Sequence, residues 1–304
     1  MSGTPATIGR GRLAGMAEQG WRVVLITSVA PIAVAMTETL RGLGHDPVAV
    51  LAPRRNPPRP SDTAMTDESA PPGMDVVLLR NKFSIEPVLR ALEPDLVLCW
   101  GFPWLIPQAA LDVPRLGSVN LHPAMLPRHR GPIPLSWAIR AGDAHYGVTW
   151  HRMDDGFDTG AILAQSTVPM EPDDADIWVV GPRMAGVALG LLPRVLERLA
   201  AGDVGDPQVA TGDEPYAGWF EDDYATINWA KPAVEIDRQV RAWAINAGNV
   251  HAGPTADLDG KRVLVRRTSL TDPGGDAIRV DAGDGPIWVV AWEPLKEAEE
   301  PAES

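Results

Sequence analysis

The sequence predicts an α/β chain: an open, mostly parallel sheet with helices on both faces, plus a small β-rich C-terminal domain. Three observations carry this. Short β-branched apolar runs alternate with helix-period stretches through the first hundred residues, the pattern of successive βαβ units. A long amphipathic stretch at 173–200 is followed by a polar, glycine-containing segment. Beyond it, short strand-like runs recur between glycine turns.

Residues 21–30, WRVVLITSVA, form the first buried strand. Ala33, Met36, Thr37, Leu40 and Leu43 then follow at helical spacing, with Gly44 as the stop. Pro47 to Leu51 is a second strand. Residues 53–73 are rich in proline, serine and acids and predict a long surface loop. MDVVLL is a third strand, Ile85 to Leu92 a helix, and Glu93-Pro94-Asp95 closes it before the strand LVLCW. The first βα turn, Thr27 to Pro31, lacks G-x-G-x-x-G, and no G-x-x-x-x-G-K-[ST] occurs. Dinucleotide binding and nucleoside triphosphate hydrolysis therefore have no motif here.

Further on, Ile177, Val180, Met184, Val187, Leu191, Val195 and Leu199 recur at steps of three and four, with Pro193 as an expected kink or local break. Residues 223–245 lead into a helix. RVLVRR, AIRV and IWVVAW alternate with Gly260, Pro273-Gly274-Gly275 and Gly283-Asp284-Gly285. The expected organisation is a flexible N-terminus (1–20), a catalytic domain (21–205), a linker (206–222), an OB-like module (223–296) and an acidic tail (297–304).

Composition narrows the class. Of 304 residues, 45% are hydrophobic and 22% charged, which suits a globular chain. No stretch is expected to reach the roughly 20 apolar residues of a membrane span, so no membrane partner is expected. The first twenty residues lack an apolar run, but hold Arg10 and Arg12 with no acid before Glu18. That leaves a short transit peptide open beside a frayed terminus whose true start is Met16. The single cysteine, Cys99, excludes a disulfide framework, suits a reducing, cytoplasmic setting, and sits in an apolar run as a small hydrophobe. The net charge is −13, and residues 205–304 hold 19 acids against nine Lys or Arg, a local net of −10. Such a surface disfavours polyanions.

The polar residues that carry chemistry fall within about forty positions. In Gly117-Ser118-Val119-Asn120-Leu121-His122-Pro123, Asn120 and His122 lie two apart, on one face of a strand near its C-terminal end. Leu126 to Pro132 is a turn into a helix from about Leu135 to Ala141. Asp154-Asp155-Gly156-Phe157-Asp158-Thr159-Gly160 is an acidic glycine loop after the strand Gly147 to His151. A carboxylate beside an imidazole makes a tunable acid–base pair, and an Asn amide can donate to an oxyanion. Together they suit acyl transfer without a covalent nucleophile. Singly, each also fits a structural pair, a plain turn or a cation site. His122, His129 and His151 show no H-x-H or H-E-x-x-H spacing, so no metal is expected.

Read in order, N-x-H, then MLPRHRGPIPLSWAI, then GVTWHRMDDGFDTGAIL resembles the signature of the folate-dependent formyltransferases, a methionyl-tRNA formyltransferase-like family. Ile227-Asn228-Trp229, Ala233, Glu235-Ile236 and Arg241-Ala242 extend the likeness into the tail, so it covers roughly 80–275, with the first 75 residues matching in pattern only. The resemblance implies 10-formyltetrahydrofolate as co-substrate and no metal. It puts Asn120, His122 and Asp158 on the catalytic positions. It puts Leu98 to Pro107 on the folate-pocket wall, with Leu98, Trp100, Phe102 and Ile106 lining it and Gly101 as a small-residue strand start. Asp154, Asp155, Gly156 and Phe157 fall on the folate-binding loop.

The expected activity is N-formyl transfer to a primary or hydroxylated amine, either a small molecule or carrier-bound. Methionyl-tRNA is the runner-up acceptor. It is disfavoured by charge, although Lys261, Arg262, Arg266 and Arg267 form a basic cluster. Hydrolysis of 10-formyltetrahydrofolate and non-catalytic folate binding are the further alternatives, and the intact trio argues against the last.

Overall fold

A computed structural model describes residues 20–54, 65, 69–209, 212, 214–245, 253–258 and 260–295. The expectations for residues 1–19, for most of the 53–73 loop and for the acidic tail lie outside the described residues.

Seven strands make one sheet: β1 (Arg22–Ile26), β2 (Asp46–Pro53), β3 (Asp75–Leu79), β4 (Leu96–Trp100), β5 (Ser118–His122), β6 (His145–Arg152) and β7 (Ile162–Pro169). Their order is β3-β2-β1-β4-β5-β6-β7. The pairs from β3 through β5 are parallel, whereas β6 runs antiparallel to β5. The sheet is thus mostly parallel, with a reversal beside β5. Burial on both faces explains the apolar runs. Val24, Ile26, Leu51, Val97 and Cys99 form one core with Ile85 and Leu89 of α2 (Ile85–Leu92) and Ala110 and Leu111 of α3 (Gln108–Leu111). The alternate residues Val23, Leu25, Leu96 and Leu98 are equally buried, and α1 (Ala30–Gly42) buries Ala33, Met36, Thr37 and Leu40. Order reverses on either side of β1, the topological switch at which ligands bind in open α/β sheets.

Two expectations need correction. Helix α5 (Ile177–Ala200) runs its 24 residues as one element, so of the expected kink or local break at Pro193 the break does not occur. An 18-residue stretch of it, with a mean hydropathy of 1.3, is also long and apolar enough to meet the length and composition of a membrane span, contrary to the sequence expectation. Its arrangement is that of an amphipathic core helix. Val180, Met184, Ala188, Leu192, Val195, Leu196 and Leu199 are buried at three- and four-residue steps, and Trp150 Nε1 of β6 donates to the Ala188 carbonyl at 2.8 Å.

By compactness the chain divides into two units, each drawn from three stretches of the sequence. Of the described residues, one gathers those up to Arg130 with Gly147–Val168 and Met184–Pro215; the other gathers Gly131–Tyr146, Pro169–Arg183 and those from Tyr216 on. In the second, α4 (Pro134–Ala141) and α6 (Ala233–Ala244) accompany an antiparallel sheet of β8 (Thr255–Leu258), β9 (Lys261–Ser269), β10 (Ile278–Ala282) and β11 (Gly285–Pro294), in the order β10-β11-β9-β8. Ile236 and Val240 of α6 pack on Val263, Val265, Ile287 and Val289. Ser136 Oγ ties α4 to α6 through the Ala242 carbonyl at 2.7 Å. The sequence reading had no counterpart to α3 or β8, each only four residues long and without a resolvable period.

Candidate active site

Strand β5 delivers Asn120 and His122 to one face, while Val119 and Leu121 are buried on the other. His122 is the last residue of the strand and is itself buried. Its Nε2 lies 2.8 Å from the His129 carbonyl. A carbonyl only accepts, so Nε2 carries the hydrogen and Nδ1 is the nitrogen left for chemistry. Nδ1 stands 3.4 Å from Asp158 Oδ1.

Asp158 lies in the β6–β7 loop and holds a left-handed backbone, φ +57°. That conformation is uncommon outside glycine, although Asp tolerates it better than most. The loop around it is built locally. Asp154 Oδ1 accepts from Gly156 N at 3.2 Å and from Thr159 Oγ1 at 2.6 Å. A side chain on Gly160 would collide with the Arg152 carbonyl, so the return into β7 requires glycine.

Asn120 Nδ2 lies 3.5 Å from the same Asp158 Oδ1 and 3.1 Å from His151 Nε2. His151 stands directly opposite Asn120 across the β5–β6 register. His151 Nδ1 is 2.7 Å from the Arg152 carbonyl and therefore bears the hydrogen, which leaves Nε2 to accept from the Asn120 amide. His151 Nε2 is also 3.6 Å from Asp158 Oδ1. One carboxylate oxygen thus faces three nitrogen atoms.

Burial, the largest influence, holds the His122 imidazole below its ordinary range. Asp158 and the His129 carbonyl push it upward without overcoming burial, and the neighbouring histidines add to the lowering. The Cys99 thiol is pushed far up, first by burial and then by the Asp158 charge, so it remains an inert core group. A low-lying imidazole beside a carboxylate can receive a proton at neutral pH, and an adjacent amide N–H can meet a developing oxyanion.

The structure brings Asn120, His122 and Asp158 together on that oxygen. The expected folate wall is divided. Leu98, Trp100 and Ile106 are buried, whereas Gly101 is exposed and Phe102 half-buried; Pro103, Trp104, Leu105 and Pro107 supply the rest of the segment's outward surface. Gly101 follows the end of β4 instead of starting a strand; its φ of +66° turns the chain away, and its carbonyl accepts from Ser28 Oγ at 2.6 Å. In the acidic loop, Asp155 and Phe157 are exposed and Asp154 is engaged within the loop. Sequence reasoning weighed His151 and His129 only as metal ligands. The N-x-H spacing holds no sign of either contact, because strand register and a turn carbonyl supply them.

Gln208 was missed entirely, since it falls in the stretch expected as a linker. That stretch is hydrogen-bonded into the first unit: Asp206 bridges Ile162, and the Pro215 carbonyl accepts from His129 N. The second unit has its own cavity, of about 520 Å³, where Arg140 and Lys231 are balanced by Glu221 and Asp223.

The fold, a mostly parallel sheet with an antiparallel β sheet after it, is one shared by formyl-transferring enzymes. Residues 23–196 match the formyl transferase family model. The chain is 31% identical to a methionyl-tRNA formyltransferase of Trichlorobacter lovleyi, over 84% of its own length and 81% of the relative's. In fold it is similar to an N-formyltransferase from Helicobacter canadensis solved with folinic acid and dTDP-3-aminofucose (TM-score 0.67, 18% identity, 88% of this chain and 98% of that one). It is also similar to HypX from Aquifex aeolicus solved with tetrahydrofolic acid (TM-score 0.64, 19% identity); the match covers 91% of this chain and 45% of HypX, so the chain spans about half that protein's length. The chain belongs to the formyl transferase family.

Proposed function

We propose that the chain transfers a formyl group from 10-formyltetrahydrofolate to a primary or hydroxylated amine, small or carrier-bound, with Asn120, His122 and Asp158 as the catalytic residues. The observation that carries this is the convergence of Asn120 Nδ2 and His122 Nδ1 on Asp158 Oδ1, with His122 Nε2 already engaged by the His129 carbonyl. Folate ligands in two similarly folded proteins support the donor. The surface of residues 101–105, Gly101 and Phe102 among them, and the loop from Asp154 to Phe157 are the parts of the chain that would hold it. The chemistry would occupy residues 21–205, with an OB-like module at 223–296, and the setting would be cytoplasmic.

The amine attacks the formyl carbon, and the carbonyl oxygen becomes an oxyanion. The Asn120 Nδ2–H that makes only the long 3.5 Å contact with Asp158 turns to the oxyanion, and the imidazolium formed on His122 joins it in stabilising the charge. Asp158 is the more exposed member of the pair, with 13% of its side-chain surface accessible against 5% for His122. It therefore takes the proton that the amine sheds and shares it with Nδ1 of His122. A proton returns to N10 of the departing folate, so the transfer is neutral in protons.

A second reading, methionyl-tRNA as acceptor, is favoured by the 31% identity to the T. lovleyi enzyme. Charge weighs against it, and two of the four basic-cluster residues are already paired, Arg262 with Asp257 and Arg266 with Glu293. The deciding experiment is a panel of amines and charged initiator tRNA, scored for tetrahydrofolate release. Release with no acceptor in the mixture would favour the hydrolase alternative, and release with none of them would reject the formyl-transfer reading.

A further inference from the structure

We propose that Gln208 is a positioning residue for the His122–Asp158 pair, its amide tying the loop that carries Asp158 to the loop that anchors His122. Gln208 Nε2 donates to the carbonyls of Asp158 and Gly160, each at 2.8 Å. Its Oε1 accepts from Arg130 Nε at 3.0 Å and Nη2 at 2.6 Å. The amide's two hydrogens and its oxygen are all committed. The residue before Arg130 is His129, whose carbonyl receives His122 Nε2–H. A ring of contacts therefore closes around the reacting atoms: Asp158 backbone, Gln208, Arg130, His129 backbone, His122, and back to Asp158 across the 3.4 Å gap between Nδ1 and Oδ1.

Two residues of that ring hold left-handed backbones without being glycine, His129 at φ +59° and Asp158 at φ +57°. Such conformations persist only where surroundings over-determine them. At Asp158, Gln208 supplies that constraint through the carbonyls at positions 158 and 160. Side-chain chemistry makes the choice specific. The carbonyls need a donor and Arg130 needs an acceptor, so an amide serves both. A carboxylate would repel the carbonyls, and an ammonium would repel Arg130. Gln208 lies beyond the residues matched by the family model.

The inference rests on the formyl-transfer reading for its kinetic test, and has a second test independent of it. In Gln208→Met, turnover of 10-formyltetrahydrofolate should fall about 10- to 100-fold, with KM for the folate held within about threefold, because what is lost is the alignment of reacting groups. In an Asp158→Ala background the same change should cost less than about twofold, since the residue acts through Asp158. Independently, NMR titration of the His122 ring should move to lower pH in Gln208→Met, because a displaced Asp158 no longer opposes burial. Arg130→Met, which keeps the two bonds to the Asp158 loop, should move it the same way but less, and it serves if Gln208→Met does not fold. An unmoved His122 titration in a folded variant, or equal kinetic losses with and without Asp158, would overturn the proposal. A wild-type protein that consumes no 10-formyltetrahydrofolate rejects the functional reading, while the His122 titration still decides the role of Gln208.

Discussion

Asp158 Oδ1 meets nitrogen atoms of Asn120, His122 and His151, and this crowding sets what each substitution does. His122→Ala or Asp158→Ala should lower the rate of formyl transfer by at least about 10²-fold, the usual size of acid–base and oxyanion contributions. Asp158→Asn, isosteric but unable to take a proton, should be as poor, and near-wild-type turnover by it would sink the assignment. The pH dependence follows from the lowered His122 titration. The His122–Asp158 pair can take up the amine's proton only while the His122 ring is neutral, so the rate should climb as pH rises through a value below about 6.5, the ordinary histidine range, and be level at neutrality. A pH–rate profile with its acid limb above that value would contradict the order of influences at His122. Stability should respond in the same direction. His45 Nδ1 accepts from Trp21 N at 3.2 Å, which needs an unprotonated ring, and burial lowers its titration. Between its folded and unfolded values the unfolded chain binds more protons, so stability is full above about pH 6.5 and is lost on acidification. His45→Gln should flatten the fall of Tm between neutral and mildly acidic pH, and an unchanged slope would exclude His45 as a contributor.

At the scale of elements, the reversal from parallel β5 to antiparallel β6 is what makes the site. It sets His151 across from Asn120, and the loop after β6 folds back to bring Asp158 over the strand end. That return needs Gly160. Gly160→Ala would press a methyl group into the Arg152 carbonyl, and should destabilise by about 1–3 kcal/mol, the usual penalty of overpacking. Chemical denaturation checks this, and a variant as stable as the parent would show that the loop has slack. Helix α5 illustrates the opposite balance. Its apolar length alone suits a bilayer, yet one stripe of it is buried against the sheet and Trp150 bonds its backbone. Trp150→Phe should keep most of the packing and lose roughly 1 kcal/mol with that hydrogen bond.

For the whole molecule, charge is the governing property. With a net of −13, and −10 of it in residues 205–304, binding to a polyanion requires a focused basic patch. The pairing of Arg262 with Asp257 and of Arg266 with Glu293 weakens the cluster best suited to supply one. Weak binding of initiator tRNA at physiological salt is the expected outcome. Filter binding across a salt series tests it, and efficient formylation of charged initiator tRNA at submicromolar concentration would overturn the acceptor while leaving the trio intact.

The sequence by itself determined the alternation of strands and helices, the β-rich tail and the ordered motifs around Asn120, His122 and Asp158. These are local properties: apolar period, turn residues and short spacings are written within a dozen neighbours. It misjudged α5 because uninterrupted apolar runs were weighed for membrane length, whereas a mean over 18 residues tolerates scattered polar residues and only packing reveals one buried stripe. It missed His151 and Gln208 for a related reason. His151 meets Asn120 across 31 positions, and Gln208 meets Asp158 across 50. Tertiary structure decided those partners, since strand register and the path of a returning segment arise from the burial of the whole sheet, and no local pattern encodes which polar groups that burial brings within hydrogen-bond reach.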